Sequence, residues 1–237
     1  MTKRTIGILG GMGPEATILL QERLMSALPR AKDDADHIPL LIDMNPQVPS
    51  RIEHLIYRQG ANPAPVLIKM AKRLENAGAD ALAMPCNTAH HFADKIREAI
   101  NIPFLDMVGI SAVMAAQSSH QAENIGILAS PAVRITGLFD KALRALDRTA
   151  IWPEPDDHML QAIKQIKKDG PKQETANILK KTSQNLARHG AKVQLVACSE
   201  FSLLSTELLS TDCQIIDTLD VLAKAIIQMS LAGCQKN

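Results

Sequence analysis

The chain has 237 residues, enough for one large domain or two small ones with a sizeable core. Aromatic residues make up only 3%, so that core must consist mostly of aliphatic side chains. The 26 Lys and Arg residues nearly balance the 25 Asp and Glu residues, and without a basic face or stacking aromatics nucleic-acid binding is not expected. The N-terminal apolar run is too short for a signal peptide, and no run reaches the roughly 18 apolar residues of a membrane helix, so we expect a cytoplasmic protein without a membrane partner.

Short apolar strand candidates alternate with amphipathic helical stretches along the chain. The predicted strands are residues 5–10, 38–44, 80–85, 102–107, 124–130, 192–198 and 213–218. The predicted helices are residues 14–28, 63–78, 88–100, a stretch before residue 124, and residues 135–146, 155–170, 173–190 and 220–233. This alternation predicts an α/β fold with doubly wound, mainly parallel sheets.

The chain nearly repeats itself at a spacing of 111 to 119 residues. The matching segments are TIGIL (5–9) with NIGIL (124–128), GADALAMPC (78–86) with GAKVQLVAC (190–198), and IPFLD (102–106) with CQIID (213–217). Matches in the same order at nearly constant spacing indicate two similar α/β domains. The central match ends on a cysteine in both halves.

Cys86 and Cys198 therefore follow equivalent strands of the two predicted halves. Ligands bind at the carboxyl edge of a parallel sheet, so two halves facing each other would place the cysteines on opposite sides of one ligand. The N-terminus of the helix that follows each strand would favour a thiolate. The alternative for each cysteine is a small buried residue at a strand end.

Two facing thiols suit the inversion of a stereocentre. One thiolate would remove a proton from the carbon next to a carboxylate, and the opposite thiol would donate a proton to the other face. The carbanion must be stabilised by hydrogen-bond donors where charge develops. Asn87, Thr88 and Ser199 follow the two cysteines and are suitable donors.

The chain resembles the aspartate/glutamate racemases along essentially its whole length. The most specific segments are GGMGPEAT (10–17), NPQVPSR (45–51), PCNTAH (85–90), IKKDG (166–170) and ACSE (197–200). The resemblance implies racemisation of an acidic amino acid, aspartate or glutamate, by a homodimer that uses neither pyridoxal phosphate nor metal. It assigns the two bases to Cys86 and Cys198. It also implies two domains, residues 1–108 with 214–237, and residues 109–213.

The resemblance further implies the residues that bind substrate. Arg51 and Lys168 match the positions that bind the side-chain carboxylate, a role that suits the bidentate guanidinium of arginine. His90 lies in a matching motif and is expected to support the site by packing. The complete set of implied or inferred substrate-binding residues is Met12, Asn45, Gln47, Arg51, Asn87, Thr88, Ser130, Lys168, Ser199 and Glu200.

Two segments depart from the pattern of the family. Ala197-Cys198-Ser199-Glu200 replaces the usual GCTE, and serine keeps the hydroxyl group. Ser130-Pro131-Ala132-Val133 stands where two threonines are common, and the Val133 side chain cannot donate a hydrogen bond. This second departure leaves the choice of substrate open.

Several other interpretations compete with this one. Gly11 to Ala16 fits the G-x-G-x-x-A pattern of dinucleotide-binding proteins, with Asp43 as the ribose-binding acid. A two-lobed protein that only binds acidic amino acids would use the same cleft without needing thiols. Maleate isomerases and hydantoin racemases share the superfamily.

A zinc site formed by Cys86, His90 and His91 is not favoured, because no CxxC spacing occurs. Cys213 and Cys234 receive no role.

Overall fold

A computed structural model of the chain describes residues 3–28, 31–119, 123–155, 157–210 and 212–232. Strands and helices alternate through these ranges. The strands are β1 (Ile6–Gly10), β2 (Leu40–Met44), β3 (Ala81–Ala83), β4 (Asn124–Leu128), β5 (Thr149–Ile151), β6 (Val193–Val196) and β7 (Gln214–Asp217). The α-helices are α1 (Pro14–Ser26), α2 (Arg51–Leu55), α3 (Ala64–Asn76), α4 (Ala93–Arg97), α5 (Met107–Gln117), α6 (Pro131–Thr136), α7 (Leu138–Arg144), α8 (Asp157–Asp169), α9 (Gln173–Arg188), α10 (Ser199–Ser202) and α11 (Thr218–Leu231). Short 3-10 helices cover Asp34–Asp36, Thr88–Phe92 and Ser205–Ser210.

The chain divides into two compact units. The first combines Met1–Met107 with Leu219–Asn237, and the second is Val108–Thr218. The boundary expected at residue 214 differs from this division, because β7 pairs with β6 in the second sheet before the chain returns to the first unit. Cys234 lies outside the described residues.

The first unit is built on a parallel sheet with the strand order β2-β1-β3. Successive side chains of β1 point to opposite faces, as in any strand. Ile6 and Ile8 pack on the face covered by α1 and α11, and Leu9 packs on the face covered by α3. Because both faces are covered, this strand has a continuous apolar sequence instead of an alternating one.

The second unit is built on a parallel sheet with the order β5-β4-β6-β7. Leu128 of β4 and Val196 of β6 face a cluster formed with α8, α9 and α10. The α8 residues of this cluster recur every three or four positions, which is the spacing of one helix face; they are Met159, Ala162, Ile163 and Ile166.

The predicted repeat is confirmed by the pairing of the strands. Ile6 of β1 lies opposite Ala81 of β3, and Ile125 of β4 lies opposite Val193 of β6, which are equivalent positions in the two halves. An isolated parallel bridge between Leu82 and Phe104 occupies the place that β7 takes in the second sheet. The two parallel sheets therefore follow the same topology.

Several predicted elements differ in detail. The strand expected at residues 102–107 is reduced to the Phe104 bridge. The helix expected at 88–100 is divided between the 3-10 helix Thr88–Phe92 and the five-residue α4. The helix expected at 135–146 begins earlier and is interrupted at Gly137, whose φ of 63° ends α6. The short elements β5, α2 and α10 were not predicted. Within the described ranges, no helix has the length and apolar character needed to cross a membrane.

We expect Gly11→Ala to destabilise the fold more than the matched change Gly78→Ala. Both glycines have positive φ values, 87° and 95°, which cost an alanine about 1 kcal/mol or more. A Cβ at Gly11 would also lie 2.6 Å from the backbone oxygen of Asn45, whereas a Cβ at Gly78 would meet nothing within 4 Å. Overlap with backbone adds roughly 1–3 kcal/mol to the loss of unfolding free energy. Urea denaturation measures the unfolding free energy of both variants. Equal losses of unfolding free energy in Gly11→Ala and Gly78→Ala would contradict the steric explanation.

Candidate active site

The first unit gathers its candidate residues at the carboxyl edge of its sheet. The loops after β1, β2 and β3 carry Met12, Asn45 and Cys86, respectively. Asn45 N–H donates to the Gly10 carbonyl over 3.3 Å, which holds the first two loops together. Cys86 is buried, with 6% of its surface exposed. The parallel register of the strands therefore brings sequence-distant candidates to one edge, as expected.

Arg51 is a partly buried cation that has no carboxylate partner within the described ranges. Its Nη1 donates to the carbonyls of Val48 and Pro49 over 3.3 and 3.1 Å. Its Nε is buried and has no hydrogen-bond acceptor. Among the described residues, no Asp or Glu forms an ion pair with Arg51. A buried, unneutralised guanidinium of this kind suits an anionic ligand.

The loop before Arg51 is fixed by its own side chains. Asn45 Oδ1 accepts a hydrogen bond from Gln47 N–H over 3.0 Å. Ser50 Oγ caps α2 by accepting from Glu53 N–H over 3.2 Å. No residue in the described part of the chain accepts a hydrogen bond from the two N–H groups of the Asn45 amide. Gln47 is exposed.

The surroundings of Cys86 are mostly apolar. Met12, predicted to bind substrate, is buried with Cys86 in the same hydrophobic cluster as Val48. Asn87 is buried with 3% exposure, and Thr88 begins the 3-10 helix behind the cysteine. This helix continues directly into α4.

His90 joins the Cys86 loop to the point where the chain leaves the first unit. Its Nδ1 lies 2.8 Å from the Cys86 carbonyl, and its Nε2 accepts from Met107 N–H over 3.2 Å. These partners assign the neutral tautomer with the proton on Nδ1. Burial lowers the pKa of His90, and the hydrogen bond to the Cys86 carbonyl only partly opposes this. Because both ring nitrogens bind backbone groups, His90 supports the site as expected and is not available as a zinc ligand.

The second unit gathers its candidates at the equivalent edge. Ser130 follows β4, and its Oγ caps α6 by accepting from Val133 N–H over 3.3 Å. Cys198 follows β6 and is buried with 7% exposure. The Val133 side chain is buried. It therefore places methyl groups at the position where the racemase pattern commonly has a threonine hydroxyl.

The Cys198 thiol contacts a carboxylate. Its Sγ donates to Glu200 Oε2 over 3.0 Å, and Ser199 Oγ donates to the same oxygen over 3.3 Å. Lys167 Nζ lies 3.1 Å from the other oxygen, Oε1. Glu200, predicted to bind substrate, therefore already holds the thiol and a lysine within its own unit.

These contacts set the charge states of the pair. Burial opposes the ionisation of Glu200, but the Lys167 ammonium and the thiol hydrogen bond outweigh it and lower the Glu200 pKa. Burial, followed by the Glu200 charge, raises the pKa of the Cys198 thiol well above its ordinary value. The expectation of a lowered thiol pKa, based on the helix that follows, is therefore wrong for Cys198. The four-residue α10 cannot compensate for the burial and the neighbouring anion.

Lys167, which the sequence analysis did not select, is the lysine that reaches the Cys198 site. An α-helix turns by about 100° per residue, so Lys167 borders the buried stripe of α8 that contains Ile163, and Lys168 lies on the opposite side. The Lys168 side chain is exposed and makes no ion pair in the described part of the chain. Its role in binding substrate stays a prediction. Helical phase was the signal that could have identified Lys167.

Asp217 and Ser202 were also missed. Ser202 Oγ lies 2.7 Å from Asp217 Oδ1 and 3.4 Å from the Cys198 carbonyl. Thr218 Oγ1 donates to the Val196 carbonyl over 3.0 Å. These contacts tie the end of β7 to the loop that carries Cys198.

The residues required by the dinucleotide interpretation have other partners. Asp43 Oδ2 accepts from Arg73 Nε over 3.0 Å, so the proposed ribose-binding acid is already paired. Gly11 instead allows close backbone approach to Asn45. Within the described ranges, no group of three His, Cys, Asp or Glu residues is placed to hold a metal ion.

Comparisons with known proteins show the family and the fold to which the chain is similar. A model of the Asp/Glu/Hydantoin racemase family matches residues 9–226. The broad specificity amino-acid racemase RacX of Bacillus subtilis (strain 168) is 27% identical over 234 residues, covering 96% of this chain and 98% of the relative. The solved structure of Picrophilus torridus aspartate racemase has a TM-score of 0.81 and 27% identity, covering 96% of this chain and 94% of that one. The glutamate racemase of Francisella tularensis subsp. tularensis SCHU S4 in complex with D-glutamate has a TM-score of 0.68 over 100% of this chain and 84% of that one, and at 17% identity it shows a similar fold alone.

We expect His90 to make stability depend on pH. Its lowered folded-state pKa means that its contribution is complete above about pH 6.5, the unfolded value. The contribution declines at lower pH, because the unfolded chain binds a proton that the folded histidine does not. His90→Gln should cost about 1–3 kcal/mol of unfolding free energy at pH 8 and progressively less towards pH 5. Urea denaturation across this range is the measurement, with the exposed His189→Gln as control; a His90→Gln difference that stays constant would contradict the assignment.

Proposed function

Because the chain belongs to the Asp/Glu/Hydantoin racemase family, we propose that it racemises an acidic amino acid, aspartate or glutamate, through Cys86 and Cys198. The observation that carries the proposal is the equivalence of the two cysteines. Each follows the strand that pairs with the first strand of its own sheet, β3 beside β1 and β6 beside β4. Two thiols at repeated positions suit a reaction that treats the two faces of a carbon alike.

In the proposed reaction, one cysteine acts as thiolate and the other as thiol. The thiolate takes the α-proton, and the C–H bonding pair stays on the carbon as a carbanion next to the carboxylate. The opposite thiol then gives its proton to the other face, which forms the inverted C–H bond and leaves a new thiolate. Atoms and charge balance without a cofactor, and the two cysteines exchange roles in each turnover.

The remaining polar groups would bind the substrate. Arg51 lacks a carboxylate partner among the described residues and is the cation that we assign to the side-chain carboxylate. The hydroxyl of Ser130 and the amide N–H groups of Asn45 would serve as donors near the α-carboxylate. Lys168 as a second cation and the homodimer stay predictions of the family resemblance.

The range of substrates is the open part of the proposal. One relative is named as a broad specificity racemase and another as an aspartate racemase. The buried methyl groups of Val133, where a hydroxyl is common, remove one candidate donor. Neutral amino acids are therefore tested beside the acidic ones.

The test of the proposal is proton NMR and circular dichroism with each enantiomer of aspartate, glutamate and alanine in deuterium oxide, without added cofactor. We expect loss of the α-proton signal and of optical rotation for at least one acidic amino acid. Cys86→Ala and Cys198→Ala should each lower the racemisation rate by at least about 100-fold, because each removes an acid–base group. Cys213→Ala is the control that should remain active.

Each single-cysteine variant should still exchange the α-proton of one enantiomer, and the two variants should prefer opposite enantiomers. This result follows because each remaining thiol faces one side of the substrate carbon. If the wild-type protein binds an acidic amino acid but exchanges no α-proton, the result would instead support a binding protein. Undiminished racemisation in either cysteine variant would contradict the two-thiol mechanism.

We expect Arg51→Met to lower kcat/KM for aspartate by about 10- to 100-fold, because a hydrogen bond to a charged group contributes about 1.5–3 kcal/mol. Any activity on alanine should change much less, because alanine has no side-chain carboxylate. The exposed Arg188→Met makes the same change of charge on α9 and serves as control. Equal losses for aspartate and alanine would show that Arg51 acts only on the structure of its loop.

A further inference from the structure

The two cysteines have different neighbours. The Cys198 thiol donates to Glu200 over 3.0 Å, and Glu200 is itself paired with Lys167 over 3.1 Å. In the part of the chain that the structure describes, no carboxylate accepts a hydrogen bond from the Cys86 thiol, which lies among apolar side chains such as Met12 and Val48. The repeat therefore supplies two equivalent thiols, and among the described residues only the Cys198 thiol donates to a carboxylate.

The charge on Glu200 is held in place by several donors. A buried carboxylate loses its hydration and would bind a proton unless other groups stabilised the anion. The Lys167 ammonium, the Ser199 hydroxyl and the Cys198 thiol supply this stabilisation. Glu200 thus remains an anion although it is mostly buried.

An anion in contact with a buried thiol disfavours a second negative charge there. Ionised neighbours of like charge displace a titration by one or more pKa units when they lie this close. The charged groups nearest the thiol in its own unit are Glu200 on α10 and Lys167 on α8. Asp217 at the end of β7 is directed to the Ser202 hydroxyl. Cys198 also belongs to the apolar cluster formed with α8, α9 and α10.

We propose that Glu200, held as an anion by Lys167, is a positioning residue that keeps Cys198 in the thiol form, so that Cys198 enters the reaction as the proton donor and Cys86 as the base. This assignment rests on the proposed racemase function and gives the two thiols distinct resting states. When Cys198 has given its proton to the substrate carbon, its thiolate faces the Glu200 anion and is a strong base. The resting state is restored when Cys86 releases its proton and Cys198 takes one up, either by exchange with solvent or by reaction with a molecule of the opposite enantiomer.

Thiol alkylation tests the inference without any substrate. Iodoacetamide is reacted with the full chain between pH 6 and pH 10.5, and peptide mass spectrometry reports the rate at each cysteine separately. Glutamine has nearly the same shape as glutamate but no charge. Glu200→Gln should therefore move the titration midpoint of Cys198 at least about one pH unit lower. At any pH below both midpoints, the variant should then contain about tenfold more Cys198 thiolate than the wild type. Glu200→Asp keeps the charge and should retain most of the wild-type behaviour.

Lys167→Met should have the opposite effect. Removing the cation leaves the Glu200 anion uncompensated in the alkaline range, so the titration of Cys198 should move to higher pH. Lys168→Met makes the same change of net charge one residue further along α8 and should leave the titration of Cys198 within about 0.3 units of the wild type, since its side chain lies away from Glu200. Cys213 provides an internal control in the same unit.

A second readout is the pH profile of racemisation. The two enantiomers have equal free energies, so kcat/KM has the same value in both directions at every pH. The fall of kcat/KM at alkaline pH (the alkaline limb) reports the loss of the second thiol proton. Glu200→Gln should shift this limb to lower pH in both directions equally. A merely structural role of Glu200 would lower activity without moving the limb.

The inference is overturned if Glu200→Gln leaves the titration of Cys198 unchanged, if Lys167→Met and Lys168→Met have equal effects, or if Cys213 shifts together with Cys198. Failure of the proposed function is a separate result. A chain that exchanges the α-proton of no amino acid would not be a racemase of the tested substrates, yet the alkylation profiles would still decide the role of Glu200.

Discussion

Parallel pairing of a strand with its neighbour is the constraint on which the candidate site depends. β1 fixes the position of β3, and β4 fixes the position of β6, in registers that repeat between the two units. Since all strands of each sheet run in one direction, the loops that carry the candidate site residues lie at one edge of that sheet. Gly11 allows the β1 loop to approach Asn45 closely, and His90 fixes the Cys86 loop from behind. The two candidate thiols therefore lie in short loops that directly follow the central strands β3 and β6.

Two similar units need not give two similar thiols. A racemase needs acid and base at the same moment, and two identical thiols would both be protonated or both be ionised over much of the pH range. Glu200 and Lys167 break this equivalence on the Cys198 side. The lysine and the carboxylate together keep the site close to neutral, so a buried anion is tolerated without a net charge near Cys198. Arg51, in the first unit, has no carboxylate partner among the described residues, which suits the acidic substrate that we propose.

The sequence predicted the repeat, the parallel sheets and the position of both cysteines directly after equivalent strands, because these depend on local apolar patterns. It did not predict β5, α2 or α10, which are three to five residues long and too short to show a period. Lys167 and Lys168 are chemically alike, and only the buried stripe of α8 decides which one faces Glu200. The contact of Glu200 with the Lys167 ammonium likewise depends on how α8 packs beside α10, a tertiary relation that no motif spacing contains.

The fate of the α-proton in the first turnovers tests the two-thiol account most directly. One enantiomer of the active amino acid is incubated in deuterium oxide, and deuterium is measured separately in the remaining substrate and in the newly formed enantiomer at low conversion. Two opposed thiols predict deuterium in nearly all of the product and very little in the remaining substrate, because the donor thiol carries solvent deuterium and the base keeps the substrate proton. Product that retains the original proton would show that one group both removes and returns it, and would contradict the account.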